Sequence, residues 1–305
     1  MSESRYTPLT VIMVLSAVFM WGASFSLLKI GLDYLPPIGF AAIRYGIAAI
    51  KMVVVIIYRS TFSGMLKEFR SDWKLFFMLG VVGIALPNAL LNLGLQHTTA
   101  SLSSIIQASG PVYTIIFAVI LLREGLGVDK VVGSVIAITG TVLLLVQDGV
   151  DLNDVTFTGN LLVLLSAMSY AISGVVTKMA LKRHHPINVT GWSLIIGSLL
   201  LCLVTPLEVG GVYTLNSEVW VIILVLALFP GCLAFLFYNY VLRTKEVSSL
   251  AFFIYLVPMF AIVIAHLSLG EIVSLDMVLL AGMVIAGLAV AQYKLISRWR
   301  NDGED

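Results

Sequence analysis

Runs of about 20 apolar residues succeed one another along nearly the whole chain, separated by short polar connections. In hydrocarbon every backbone N–H and C=O must be satisfied by the chain itself, so only helices and closed barrels are open to such a sequence. No run alternates polar and apolar residues strictly enough for a barrel strand. The reading is therefore all-α: a polytopic membrane protein with ten transmembrane helices. They are expected over 9–29, 36–58, 73–95, 99–122, 128–147, 158–181, 186–206, 218–242, 247–269 and 274–296. Composition agrees, since 59% of the 305 residues are hydrophobic and 11% charged, against about 25% charged in soluble domains. A net charge of +1 offers no surface for nucleic acid. The first run, from Leu9 to Leu28, is too long for a signal-peptide core and reads as a span. Cys202 and Cys232 fall inside apolar runs and read as packing residues, not a disulfide or metal pair.

Lysine and arginine set the sidedness. One alternating set of connections carries Arg59, Lys67, Arg70, Lys74, Arg123, Lys130, Lys182, Arg183, Arg243 and Lys245, and the termini add Arg5, Lys294, Arg298 and Arg300. The opposite set carries Lys29 among Asp33, Asp148, Asp151, Asp154, Glu208, Glu218 and Glu271. Basic connections stay inside, which puts both termini in the cytoplasm of a multi-pass plasma-membrane protein and demands an even number of spans. Between Arg59 and Lys74, the spacing of Phe62, Leu66, Phe69 and Trp73 fits an amphipathic helix on the interface or a basic loop with aromatic anchors.

The chain also repeats itself. A shift of 147 residues aligns Asn92 with Asn239, Ser101 with Ser248, Pro111 with Pro258, Glu124 with Glu271, Asp129 with Asp276 and Gly140 with Gly287. Leu75 to Gly140 gives 14 identities in 66 positions at that shift, well above what shared composition produces. A slip of three residues extends the match to Leu15-Ser16-Ala17 against Leu165-Ser166-Ala167, with the seam at Asp148 to Thr158. The halves are 1–150 and 151–305, each of five spans. Five is odd, so the second copy enters the membrane from the other side, an arrangement most used for alternating access around a central site.

Trp21-Gly22, Lys29, Pro36-Pro37 and Arg44, with the closing motifs Leu122-Arg123-Glu124 and Leu269-Gly270-Glu271 behind Pro111 and Pro258, resemble the EamA-type branch of the drug/metabolite transporter superfamily. The likeness spans nearly the whole chain. It implies ten helices in two inverted five-helix repeats around a central cavity, and movement of small metabolites: amino acids and related compounds in some members, nucleotide sugars or phosphorylated sugars in others. The second half departs from the pattern: Ala171 stands where Trp21 would fall, and no arginine answers Arg44.

Arg44 is the strongest single candidate for function. Eight residues past Pro36, it lies roughly 12 Å into its helix at about 1.5 Å per residue. A charge at that depth costs about 2.5–3.5 kcal/mol and calls for a partner, yet no span carries a carboxylate near its middle. Either the side chain snorkels or bonds carbonyls, or it lines the cavity and attracts a solute carboxylate. Polar stripes accompany it: Asn88 and Asn92 in the third span, Gln107 in the fourth, Tyr170 and Ser173 in the sixth, Asn239 in the eighth. Such stripes face a wet cavity or bond neighbouring helices. Trp21 with the small residues Gly22 and Ser24 beside it, Trp192, Tyr238 and Tyr255 complete the candidate solute site, and Phe252 is a further aromatic of the same kind. Pro111 and Pro258 are expected to bend their helices, and Gly133, Gly140, Gly282 and Gly287 to allow close packing.

Energy coupling leaves little trace. No span carries a central acid for a proton relay, and no phosphate loop is present. The expectation is a secondary transporter, with no cofactor and no metal, whose partners are a small-molecule solute and the lipid bilayer. It is expected to be a monomer or weak homodimer. An intramembrane enzyme on lipid-linked substrates or a passive channel are the competing readings, although no His-Glu-x-x-His or Gly-x-Ser-x-Gly motif supports the former.

Overall fold

The computed structural model describes residues 7–59, 62–122, 127–146, 151, 154–208, 215–245, 250 and 253–291. Glu124, Arg123, Asp148, Ser248, Phe252, Arg5, Lys294, Arg298 and Arg300, named above, lie outside them. The described residues are helical and irregular, without strands. Twelve helices are numbered here in chain order: α1 (Pro8–Leu32), α2 (Pro37–Arg59), α3 (Phe62–Ser71), α4 (Trp73–Leu95), α5 (Ala100–Gln107) and α6 (Gly110–Leu122). They continue with α7 (Val128–Val146), α8 (Val155–Leu181), α9 (Pro186–Val204), α10 (Ser217–Thr244), α11 (Leu256–Leu269) and α12 (Leu275–Ala291). Eight helical segments are long and apolar enough to cross a membrane, with α5 running into α6 as one of them, and α11 and α12 are shorter apolar helices. The chain is a multi-pass membrane protein, and large apolar side chains such as Leu203 and Leu267, 74% and 78% exposed, face outward where lipid covers them.

Sequence chemistry fixes most helix ends. Thr7, Thr99 and Asn216 each accept a hydrogen bond from a backbone N–H in the first turn behind them, and prolines open α1, α2 and α9. Residues 62–71 form the amphipathic helix, not a loop: Met65 is buried and the Phe69 ring lies 4.5 Å from that of Trp192. Both candidate hinge prolines stand behind a break. The fourth span stops at Ala108–Ser109 and restarts with Pro111 in the first turn of α6, and Pro258 sits in the first turn of α11 behind a break at Tyr255. A proline lacks the N–H and clashes with the carbonyl four residues back, so it is best tolerated where a helix begins.

Two features escaped the sequence reading. Helices α4 and α10 each contain a π turn, over Val81–Ala85 and Phe229–Ala234, next to Pro87 and at Pro230. Such a turn shifts the hydrogen-bond register and releases carbonyls. Ser169 donates to the Val82 carbonyl at 2.9 Å, Ser166 to Pro87 at 2.7 Å, and the Trp21 indole to Pro230 at 3.3 Å.

Packing runs in matched pairs. Helix α2 lies on α9 and α7 on α12; α1 lies on α11 as α8 lies on α6; α4 lies on α8 as α1 lies on α10. The α7–α12 contact is backbone on backbone, since a Cβ on Gly133 would stand 2.3 Å from the Gly287 carbonyl oxygen. Gly140 meets Val284 in the same seam, whereas Gly282 faces open space and takes no part. Two lysines make the same bond in each half. Lys29 at the end of α1 donates to the carbonyls of Leu95 and Thr98 at 2.7 and 2.8 Å. Lys178 near the end of α8 donates to those of Leu242, at 2.7 Å, and Lys245, which lie 147 positions further on.

Candidate functional site

A cavity of about 220 Å³ lies among α1, α2, α4, the α5–α6 break, α8, α9 and α10. Nine of the twelve candidate solute residues line it: Trp21, Ser24, Arg44, Asn88, Gln107, Tyr170, Ser173, Tyr238 and Asn239. Pro111 lines it as well, at the break in the fourth span.

Helix periodicity places the polar wall. Arg44 and Tyr45 both come about two turns into α2 and are 2% and 3% exposed, so neither snorkels. The Arg44 Nη2 donates to Asn88 Oδ1 at 3.0 Å, and the guanidinium carbon lies 4.4 Å from the Tyr45 ring centroid. The Tyr45 hydroxyl donates to the same Asn88 oxygen at 2.7 Å, while the Asn88 amide N–H is spent on the Ile84 carbonyl one turn back at 2.8 Å. Arg44 Nε has no hydrogen-bond partner in the protein, and among the described residues no carboxylate pairs with the guanidinium. Its positive charge is polarised by an amide and a ring but not neutralised.

The remaining groups tie helices together around the cavity. Gln107 donates to the Ser166 hydroxyl at 2.7 Å, which passes a hydrogen bond to the Pro87 carbonyl, linking α5, α8 and the stretch of α4 just past its π turn. Asn239 donates to Thr190 at 2.9 Å, linking α10 and α9. The cavity also has an aromatic wall, where the Trp21 ring meets Phe235 and Tyr238 edge-on or tilted at centroid distances of 5.5 and 5.3 Å. The small residue after Trp21 serves packing and not a solute: a Cβ on Gly22 would stand 2.9 Å from the Val257 carbonyl oxygen in the first turn of α11.

Three candidates lie away from the cavity wall. Asn92, one turn beyond Asn88, is fully buried and donates to the Pro37 carbonyl at 2.9 Å, fastening the start of α2. Trp192 packs between Phe69 and Phe76 beneath α3. Tyr255 is buried at the break before α11. The sequence reading had passed over Tyr45, Thr190, Ser193 and Phe235, which line the cavity. Tyr45 had a signal, since the neighbour of a buried arginine within the same apolar span shares its depth.

Charged groups cluster at the two ends of the bundle. At the acid-rich end Glu208 accepts from the Ile38 and Gly39 amides at 2.8 and 2.9 Å, capping α2. Glu271 accepts from Ala100 and Ser101 at 2.7 and 2.9 Å, so it caps α5 and not the helix it precedes. At the basic end His184 stands between Glu68 and Asp72, with ring nitrogens 2.9 and 2.8 Å from their oxygens, fixing α3 to the α8–α9 connection. His185 beside it caps α9, and burial, with Arg59 and Arg243 nearby, lowers its pKa below the usual histidine value.

A model of the EamA-like transporter family matches the chain twice, over residues 8–146 and 157–292. An uncharacterized transporter of Archaeoglobus fulgidus is 26% identical over 289 residues, covering 93% of this chain and 98% of that protein. The uncharacterized transporter YyaM of Bacillus subtilis is 28% identical, with 92% of each chain covered. A probable terminal-alkyne amino-acid exporter of Streptantibioticus cattleyicolor is 25% identical, with 93% of each covered. One crystal structure superposes with a TM-score of 0.68 over 93% of this chain and 96% of that one, at 17% identity, a likeness of fold alone.

Proposed function

The chain belongs to the EamA-like transporter family, and from that premise we propose that it is a secondary carrier exporting amino acids or related carboxylate solutes by alternating access. The observation that carries the reading is Arg44: a buried, unneutralised cation on the wall of a cavity with no carboxylate among its described lining residues. A resident charge at that depth is costly, and a solute carboxylate offsets the cost each time it binds. The solute's apolar body would rest on Trp21, Phe235 and Tyr238, and the amides and hydroxyls of Gln107, Asn239, Ser173 and Ser24 would take its other polar groups.

The same proposal reads residues 1–150 and 151–305 as inverted halves of five spans each, with α11 and α12 belonging to the ninth and tenth. The paired helix contacts, the matched π turns and the twin lysine bonds to carbonyls 147 residues apart support it. The acid-rich end faces outside and the basic end the cytoplasm, where both termini lie, in the plasma membrane. The amino-acid exporter among the relatives points to the solute class.

Counterflow tests the proposal. Proteoliposomes preloaded with a mixture of unlabelled amino acids should take up the tritiated forms faster than empty ones for at least one amino acid. Uptake that no internal amino acid or related carboxylate accelerates would refute it.

A further inference from the structure

We infer that Lys29 and Glu271 form the outer gate of the carrier, clamping the α4–α5 turn shut over a polar exit path. The inference rests on the carrier reading above and adds the path and its latch. Its first support is where the two charges sit. The last carbonyls of a helix carry partial negative charge and the first amides partial positive charge. The Lys29 ammonium donates to three carbonyls, those of Leu95 and Gln96 at the end of α4 and of Thr98 in the turn beyond, at 2.7, 3.2 and 2.8 Å. The Glu271 carboxylate takes the first two amides of α5. One turn of chain, 96–99, is thus held by a cation on its entering helix and an anion on its leaving helix. The cation comes from α1 and the anion from the α11–α12 connection.

Glu271 is itself fixed. Gly270 closes α11 in the left-handed region, at φ 67°, and the His266 Nδ1 lies 2.9 Å from the Glu271 carbonyl oxygen. The carboxylate is therefore presented to α5 by a preformed turn.

The second, independent support is what lies behind the clamp. Among the described residues, six buried side-chain oxygens in this end of the bundle have no hydrogen-bond partner in the protein: those of Ser26, Asn92, Thr98, Ser101, Ser103 and Asn160. They come from the turn itself and from α1, α4, α5 and α8, helices that pack on one another around it. A permanently packed wall gains nothing from polar groups left unpaired, because each forfeits its hydration. A wall that is dry in one state and wet in the other recovers it on opening. The six oxygens thus mark the surface that water and solute reach when the α4–α5 turn swings away from α1. At the basic end Lys178 holds the counterpart carbonyls of Leu242 and Lys245, so each face carries its own latch.

Thiol labelling tests the gate. With Cys202→Ser and Cys232→Ala as background, Ser103→Cys and Asn160→Cys are exposed from the acid-rich face to a charged, membrane-impermeant methanethiosulfonate. Ala137→Cys, fully buried in α7, is the control. Both test positions should react at least tenfold faster than the control. Lys29→Met and Glu271→Gln, made separately so that poor folding of one leaves the other, should each raise the rate a further threefold or more. Rates equal to the control, or unmoved by either variant, overturn the gate. Amino-acid counterflow that persists alongside such rates leaves the carrier standing without it, whereas absent counterflow in the parent protein overturns both.

Discussion

Replacing Arg44 with Leu separates a solute-binding cation from a structural one. The guanidinium gives one hydrogen bond within the protein, to Asn88, and that oxygen keeps the Tyr45 hydroxyl at 2.7 Å when Arg44 is removed. No orphaned acceptor is created, and the unneutralised charge goes with the side chain. The melting temperature should therefore stay within about 4 °C of wild type, the equivalent of roughly 1 kcal/mol. Binding should suffer more. A hydrogen bond to a charged group contributes about 1.5–3 kcal/mol net, and about 1.4 kcal/mol is tenfold in affinity, so a carboxylate solute should lose roughly 10- to 100-fold. The assay compares counterflow of an accepted amino acid with that of its primary amide, which has no carboxylate. Arg44→Leu should depress the acid by that factor and shift the amide by less than threefold. Equal loss of both, or unimpaired transport of the acid, would refute the reasoning.

Asn88→Asp places a carboxylate where an amide oxygen now stands 3.0 Å from Arg44 Nη2, so it should raise the melting temperature and abolish counterflow of carboxylate solutes. Gly133→Val drives side-chain carbon into the α12 backbone, where even a Cβ would stand 2.2 Å from the Ala291 nitrogen. Overpacking costs about 1–3 kcal/mol, so thermal unfolding should come earlier while solute affinity of the folded fraction is unchanged, neither α7 nor α12 lining the cavity. His185 has a folded pKa below its ordinary 6.5, so the unfolded chain takes up the proton first as the pH drops. Its contribution is whole above pH 6.5 and declines as pH falls through and below that value. Melting curves between neutral and acid pH should accordingly be less steep in pH for His185→Asn than for wild type.

The span pattern and the depth of Arg44 were legible because hydrocarbon leaves so few ways to satisfy a backbone or a charge. Asn88 and Gln107 were legible for the same reason, an amide being too polar for the lipid face. Direction was harder. Asn92 shares the Asn88 stripe, yet one turn further on it meets the first carbonyls of α2 instead of the cavity. Trp192 differs from Trp21 only in what packs on it: Phe69 reaches it because residues 62–71 fold back as a helix, and the sequence left that helix and a loop equally open. The π turns were out of reach, because the groups that bond their carbonyls, the Ser169 hydroxyl of α8 and the Trp21 indole of α1, come from distant parts of the chain, and Pro87 and Pro230 were their only local trace. Glu271 stands just before the tenth span, yet the amides it holds, those of Ala100 and Ser101, lie 171 and 170 residues away in sequence, a partner no local pattern could name.

A cavity that opens to each face in turn is the centre of the account, and Ser173, on its α8 wall, reports on it most directly. With Cys202 and Cys232 replaced as above, Ser173→Cys should react with an impermeant thiol reagent applied to either face of sealed vesicles. Saturating transported solute should slow the reaction on both. Reactivity from one face alone under every condition, or from neither, would contradict alternating access.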